Sequence, residues 1–154
     1  PIGLKLPPYF DPVMAHQMAD IVAKFDVNYV TCINSVGNGL IVDADTESTV
    51  IRPKGGLGGI GGAAIKPFAL SNVRMMRQML PDHVDVVGCG GIHCGRDAFE
   101  HILVGATAVQ VASQVMIEGP SCFHRIQQEL KDIMVSKGYT SLSDFRGNLK
   151  TDNF

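Results

Sequence analysis

Short apolar runs alternate along this chain with longer segments in which apolar residues recur at helical spacing. A short, nearly continuous apolar run predicts a buried strand, and recurrence every three or four positions predicts a helix. The predicted strands are residues 2–6, 29–33, 84–88 and 108–112. The predicted helices begin after Asp11, cover about 67–80 and 95–104, and run from Gly119 to Gly138. The order is therefore strand then helix, four times over.

Residues that favour helix ends support these boundaries. Asp11 is a suitable N-cap, and Pro12 suits the first helical position. Gly138 ends the longest helix, and Ser141 is expected to cap a final short helix at about 142–145. Each boundary thus has its own chemical reason, independent of the apolar spacing.

One long connection, from Asn34 to about Lys66, interrupts the alternation of strands and helices. Within it, residues 40–42 and 49–51 could pair as a small hairpin, and residues 55–62 are rich in glycine. A connection of this length is normally functional. The glycine-rich segment could wrap a cofactor or serve as a flexible lid, and it matches no established nucleotide-binding motif.

Four strand–helix units with apolar strands predict an α/β fold with a parallel sheet. They amount to half of an eightfold barrel, and the chain has 154 residues where a complete (β/α)8 barrel usually needs about 250. The chain enters its first strand directly after Pro1, which also predicts a piece of a longer protein. An open four-stranded sheet is the alternative, but its edge strands would be unprotected.

Composition narrows the range of partners. Hydrophobic residues make up 45% of the chain and charged residues 18%, as in a globular protein, and the formal net charge is −2. No basic surface is implied, so nucleic acid and anionic membranes are poor partners. No signal peptide or apolar run of membrane-spanning length is present. The four cysteines form no CxxC pair and the five histidines are scattered, so we expect reduced thiols and no metal site.

Two loops that follow predicted strands are suited to hold a phosphate group. Residues 88–91 read Gly-Cys-Gly-Gly, and residues 112–113 read Ala-Ser after the fourth strand. Glycine lets backbone N–H groups approach an anion closely, and the last two strands of a (β/α)8 barrel usually carry its phosphate site. We therefore expect residues 1–154 to form the C-terminal half of one barrel domain. Ordinary turn capping is the alternative role for Ser113.

Three further polar residues are candidates for ligand contact. Lys5 lies in an otherwise apolar strand, where it either faces an anion or extends to solvent beside the prolines. Asn34 and Ser35 follow the second strand and could bind a small polar ligand, although both are also common turn formers. We expect His93, after the glycine turn, to be a solvated loop residue, and a position near the site is the alternative.

Taken together, these motifs resemble one enzyme family, dihydroorotate dehydrogenase, and in particular its fumarate-using class 1A. The resemblance covers essentially the whole chain in the family's order. The matching stretches are residues 3–11, 31–40, 51–62, 88–92, 95–103 and 118–120.

The resemblance implies a (β/α)8 barrel that holds FMN at the carboxyl ends of its strands. By this analogy Lys5 contacts the flavin and is the catalytic residue of this chain, and Asn34 and Ser35 hold the pyrimidine substrate. The other cofactor contacts implied by the resemblance are Ile33, Gly62, Cys89, Gly90, Gly91, Ala112 and Ser113. The family often has Gly-Thr where this chain has Ala112-Ser113. Serine keeps the hydroxyl group of the threonine.

The resemblance also implies a reaction, a partner and a location. Dihydroorotate would be oxidised to orotate in pyrimidine (UMP) biosynthesis, and FMN would pass the electrons to fumarate. The family's base, a cysteine in the first half of the barrel, matches none of the four cysteines here. The implied assembly is a cytoplasmic homodimer in which this half pairs with the N-terminal half. The alternatives are a phosphate- or FMN-binding half-barrel without activity, and another FMN barrel dehydrogenase acting on a pyrimidine.

Overall fold

A computed structural model describes residues 1–151 of the chain. Its helices are α1 (Pro12–Val22), α2 (Lys66–Met79), α3 (Gly95–Leu103), α4 (Ser113–Glu118) and α5 (Ser121–Lys137). Its strands are β1 (Gly3–Leu6), β2 (Tyr29–Cys32), β3 (Val36–Gly39), β4 (Val42–Asp43), β5 (Ser48–Thr49), β6 (Gly58–Ile60), β7 (Asp85–Cys89) and β8 (Ala108–Gln110).

The main sheet contains the four predicted strands, all parallel, in the order β1-β2-β7-β8. The two central strands are the most deeply buried, and Val30 of β2 lies beside Val86 of β7 with no exposed surface on either. Helices α1 and α2 cover this part of the sheet through small and branched side chains such as Ala15 and Val73. Strands that pair in parallel end at the same edge of the sheet, which gathers the loops after β2, β7 and β8 in one place.

The outer strands β1 and β8 are less buried than the central strands β2 and β7. In β1, Leu4 is 36% exposed, and in β8 both Ala108 and Gln110 are exposed. Within residues 1–151 each of these strands has a neighbour on one side only. An apolar outer strand is therefore left with surface that another strand or helix could cover.

The segments between the main strands and helices agree with the prediction in part. Helix α4 was not expected, because its six residues are too few for a helical repeat to be recognised. Gly119, the residue that follows it, adopts φ 80°. Residues 40–51 form the expected hairpin, with β4 and β5 as its paired strands. The antiparallel pairing of β3 with β6 was not expected, and it folds the glycine-rich segment back against the loop after β2.

The helix ends agree with the sequence. Asp11 caps α1 by accepting a hydrogen bond from the amide of Val13 at 2.9 Å. Gly138 ends α5 in the left-handed conformation at φ 74°. Ser141 and Asp144 form a capping box on the last short helix.

Helices α3 and α5 pack closely against each other beside the loop after β7. Ala98, Cys122 and Ile126 form the buried cluster between them. Gly95, at the start of α3, lies so near α5 that a Cβ atom placed on it would be 2.5 Å from the carbonyl carbon of Glu129. This contact fixes the start of α3, and with it the preceding loop, relative to α5.

Candidate functional site

A cavity of about 340 Å³ lies at the carboxyl ends of the four parallel strands. Every residue that the sequence analysis selected as a site residue lines it. These residues are Lys5, Ile33, Asn34, Ser35, Gly62, Cys89, Gly90, Gly91, Ala112 and Ser113. Other lining residues, which the sequence analysis did not assign to the site, are Gly59, Gly61, Ile65, Ile92, His93 and Gln110.

Lys5, on one outer strand of the sheet, contacts the other outer strand. Its Nζ donates a hydrogen bond to Oε1 of Gln110 at 3.3 Å, which joins side chains of the two outer strands β1 and β8. The sheet must therefore curve strongly for these strands to meet, as in the wall of a barrel. The side chain of Lys5 is exposed and lines the cavity, so its ammonium group is available to a bound anion or polar ligand. Gln110 could have been noticed in the sequence as the one polar residue of its apolar strand.

Cys32 is the last residue of β2 and directly precedes Ile33, which lines the cavity. Burial raises the pKa of its thiol to about 12, although the positive charge of Lys5 acts in the opposite direction. The thiol is therefore protonated at neutral pH. This excludes Cys32 as a base or nucleophile in the ground state of the protein.

The loop after β7 has a backbone that requires glycine. Gly90 has φ 128° and Gly91 has φ 72°. A Cβ atom placed on Gly91 would also be 2.8 Å from Cα of Lys66, and one on Gly90 would be 2.9 Å from Cβ of Ala69. The backbones of this loop and of α2 are therefore in direct contact, which no larger residue would permit.

Two amide groups of this loop are free to bind a ligand. Gly91 and Ile92 are buried, and within residues 1–151 neither backbone N–H donates to a protein acceptor. A buried N–H without an acceptor is rare and is normally satisfied by water or by a ligand. Adjacent amides with left-handed glycines beside them are typical of an anion-binding turn.

The side chain of His101 forms a hydrogen bond with the loop after β7. This side chain is fully buried, and Nε2 is 3.1 Å from the carbonyl oxygen of Gly90. Since a carbonyl only accepts, Nε2 carries the proton. Burial lowers the pKa of His101, so the ring is neutral. A Cβ atom on Gly88 would be 2.5 Å from its Nδ1, which explains the glycine at the end of β7.

His93 is not the solvated loop residue that the sequence suggested. It is half-buried and lines the cavity, and its Nδ1 donates to the carbonyl oxygen of Gly91 at 3.1 Å. The backbone N–H of His93 donates to Asp97 at 2.8 Å, and Asp97 also receives a 2.8 Å hydrogen bond from Lys66. Burial raises the pKa of Asp97, but the hydrogen bonds from Lys66 and His93 outweigh this and hold it below its usual value.

The other side of the cavity carries exposed polar groups. Asn34 Oδ1 accepts a hydrogen bond from the amide of Ser35 at 2.8 Å, which fixes the plane of its side-chain amide. Within residues 1–151 its Nδ2 has no acceptor, so it can donate to a ligand. Ser113 faces the glycine-rich segment, and a Cβ atom placed on Gly61 would be 3.3 Å from its Oγ.

Among residues 1–151 no group of three or more His, Cys, Asp or Glu side chains could hold a metal ion. None of the helices found there combines the length and apolar character that crossing a membrane requires. All four cysteines are free thiols.

Comparison with known proteins identifies the family. The family model described as dihydroorotate dehydrogenase matches residues 1–134. The chain belongs to the dihydroorotate dehydrogenase family.

Relatives in this family are similar over nearly the whole chain. "Probable dihydroorotate dehydrogenase A (fumarate)" of Enterococcus faecalis is 53% identical over 150 residues, which is 97% of this chain and 48% of the relative. "Dihydroorotate dehydrogenase A (fumarate)" of Lactococcus lactis is 52% identical over 151 residues, 98% of this chain and 49% of the relative. The chain thus spans about half the length of the curated relatives it matches.

A solved dihydroorotate dehydrogenase structure confirms the fold. The enzyme of Eimeria tenella in complex with ferulenol superimposes with a TM-score of 0.78 at 24% identity, over 96% of this chain and 38% of that one. Together with the parallel sheet, this likeness confirms the predicted fold class, the four βα units of half a (β/α)8 barrel.

Proposed function

We propose that this chain is the C-terminal half of an FMN-dependent dihydroorotate dehydrogenase that uses fumarate as electron acceptor. In the complete protein, residues 1–154 would belong to one barrel domain that oxidises dihydroorotate to orotate in pyrimidine biosynthesis. The observation that carries the proposal is that the ten residues expected from the sequence and from its family resemblance line one cavity. The names of the fumarate-using relatives support the choice of acceptor.

The residues of the cavity fit FMN. Its phosphate requires N–H donors that can approach closely, and the buried amides of Gly91 and Ile92 have no protein acceptor within residues 1–151. Ser113 adds a hydroxyl group, and Gly61 leaves room beside it. Lys5 supplies a positive charge that also lines the cavity. We therefore assign Ile33, Gly62, Cys89, Gly90, Gly91, Ala112 and Ser113 to the cofactor, together with Lys5.

When bound, FMN would supply the acceptor for the hydride that leaves C6 of dihydroorotate, and a base would remove the proton from C5. Lys5 Nζ stabilises the negative charge that accumulates near it during this transfer. Gln110 orients the ammonium group by accepting its hydrogen bond. Asn34 and Ser35 hold the substrate through side-chain hydrogen bonds, with the amide plane of Asn34 fixed by the Ser35 N–H.

The base must come from elsewhere in the complete protein. Cys32 is buried with a raised pKa and is unsuited to remove a proton. We assign the base to the half of the barrel that precedes this one, which would also cover the exposed outer strands β1 and β8. The proposed partners are that N-terminal half and a second copy of the complete protein, as a homodimer in the cytoplasm.

The proposal is tested by comparing the complete protein with residues 1–154 alone. The complete protein should be purified with FMN, identified by its absorbance, and should form orotate from dihydroorotate with fumarate present. Residues 1–154 alone should form no orotate, because they lack the base, while weak FMN binding can persist. Absence of flavin from the complete protein would contradict the proposal. Orotate formation by residues 1–154 would show that the division of roles is wrong.

Replacement of Asn34 by alanine should separate substrate binding from cofactor binding. We expect a higher KM for dihydroorotate and a lower kcat, with FMN content unchanged, because loss of one amide leaves its substrate partner unsatisfied at a cost of about 1–3 kcal/mol. Steady-state kinetics and flavin absorbance measure both effects.

Gln127→Ala provides the control, since it removes an exposed amide of α5 outside the cavity. It should leave KM, kcat and FMN content unchanged. If Asn34→Ala lost FMN but kept its affinity for orotate, Asn34 would belong to the cofactor site instead.

A further inference from the structure

Arg125 connects parts of the chain that meet at the cavity, although it does not line the cavity itself. Its Nη2 donates to the carbonyl oxygen of His93 at 2.9 Å. Its Nε donates to Glu118 at 2.8 Å, and Nη2 bonds the same carboxylate. Its Nη1 donates to Glu129 at 2.8 Å. Every nitrogen of the guanidinium group is therefore engaged.

Two of the groups that Arg125 bonds belong to the segments with the proposed phosphate contacts, the loop after β7 and helix α4. His93 lies in the loop after β7 and lines the cavity. Glu118 is the last residue of α4, whose first residue is Ser113. Glu129 in turn accepts a 2.7 Å hydrogen bond from the amide of Gly95, where the first loop ends. One side chain of α5 thus joins the Gly90–Gly95 loop to the helix that begins with Ser113.

We propose that Arg125 is a positioning residue that sets the spacing between the Gly90–Gly95 loop and Ser113, and so selects a ligand with a phosphate group. The identity of the ligand rests on the proposed function. Planar, forked hydrogen bonding suits arginine to this role, because it fixes both direction and distance. A lysine would provide the charge without the fork.

Electrostatics argue that Arg125 acts by geometry and not by attracting the phosphate. Two carboxylates bond its guanidinium group directly. The hydrogen bond from Arg125 lowers the pKa of Glu118 to about 2, so the pair is ionised at neutral pH. The positive charge is therefore balanced locally, and little of it is left to act on the cavity.

The ion pairs of Arg125 with Glu118 and Glu129 contribute too little to folding stability to explain why they are present. The side chain of Arg125 is 36% exposed and that of Glu129 38%, and exposed ion pairs contribute only about 0–1 kcal/mol to folding. The contact to the His93 carbonyl, by contrast, bears on a loop with two left-handed glycines, Gly90 and Gly91. Such a loop has many alternative conformations, and a fixed point within it restricts them.

The test compares two flavins that differ in the phosphate group. In the complete protein stripped of flavin, Arg125→Met should raise the Kd for FMN about tenfold or more, the loss expected for a charge-assisted hydrogen bond. The Kd for riboflavin, which lacks the phosphate, should stay within about twofold. Amide hydrogen exchange at Ile92, His93 and Cys94 should become faster.

Two further variants keep the result interpretable. Lys131→Met removes an exposed charge from the same helix and should change neither Kd. Glu118→Gln removes the charge from the link to α4 while leaving the His93 contact in place, and should weaken FMN binding less than Arg125→Met does. The Glu118→Gln variant also tests the inference if Arg125→Met does not fold.

Several results would overturn the inference. Equal weakening of FMN and riboflavin would make Arg125 a general structural residue, and an unchanged Kd for FMN would remove its role altogether. If the unaltered protein bound FMN no better than riboflavin, the proposed phosphate site would be wrong. Amide exchange would then decide the role of Arg125, because unchanged exchange at residues 92–94 would show that Arg125 does not hold this loop.

Discussion

Replacement of Lys5 by alanine is expected to slow flavin reduction by dihydroorotate about a hundred- to a thousandfold in the complete protein. Removal of one preorganised electrostatic group from an active site typically costs about 2.7–4 kcal/mol in the barrier. Lys5 meets the structural requirement for this role, since it lines the cavity and is held by Gln110 at 3.3 Å. Stopped-flow measurement of flavin absorbance under anaerobic conditions reports the step directly.

The same substitution should have little effect on folding. Lys5 is exposed, and its side-chain hydrogen bond to Gln110 is long. Surface substitutions of this kind usually change the free energy of unfolding by no more than about 0.5 kcal/mol. Lys24→Ala, an exposed lysine outside the cavity, is the matched control and should leave the reduction rate unchanged. A near-normal reduction rate for Lys5→Ala would show that the proposed role of Lys5 is wrong.

The sequence predicts the βα order well because that order follows from local patterns. Each central strand is a short apolar run, and each long helix has a recognisable end, such as Asp11 or Gly138. How far each residue of β1 and β8 is exposed depends on which strands lie beside them, and the local pattern does not encode this. Helix α4 lacks the length that a periodic signal needs.

The sequence predicts the residues of the candidate site about as well as it predicts the fold. Residues that follow parallel strands converge because the carboxyl ends of those strands share one edge, so Asn34, Gly91 and Ser113 meet around one cavity. The direction in which His93 points depends on the conformation of its loop, which spacing does not encode. Arg125 and its partners Glu118 and Glu129 are joined by tertiary packing, and no motif in the sequence marks them.

Gly91→Ala is expected to damage cofactor binding most among the loop substitutions. Alanine at φ 72° is strained by roughly 1–2 kcal/mol. Its Cβ would also be 2.8 Å from Cα and 3.0 Å from the backbone nitrogen of Lys66, and such overpacking costs typically 1–3 kcal/mol. The contact is with backbone at the start of α2, so the loop itself must move. We expect a loss of about 2–5 kcal/mol in the free energy of unfolding, from the sum of these terms.

Movement of the loop displaces the amides of Gly91 and Ile92, so the Kd for FMN should rise at least tenfold. Gly138→Ala separates strain from contact, because Gly138 has nearly the same φ, 74°, and a Cβ atom there would meet nothing within 4 Å. This control should lose only the roughly 1–2 kcal/mol of backbone strain and keep its FMN affinity. Denaturant unfolding and flavin fluorescence titration measure the two quantities. If both variants bound FMN equally well, close contact between the Gly91 loop and α2 would not be what shapes the phosphate site.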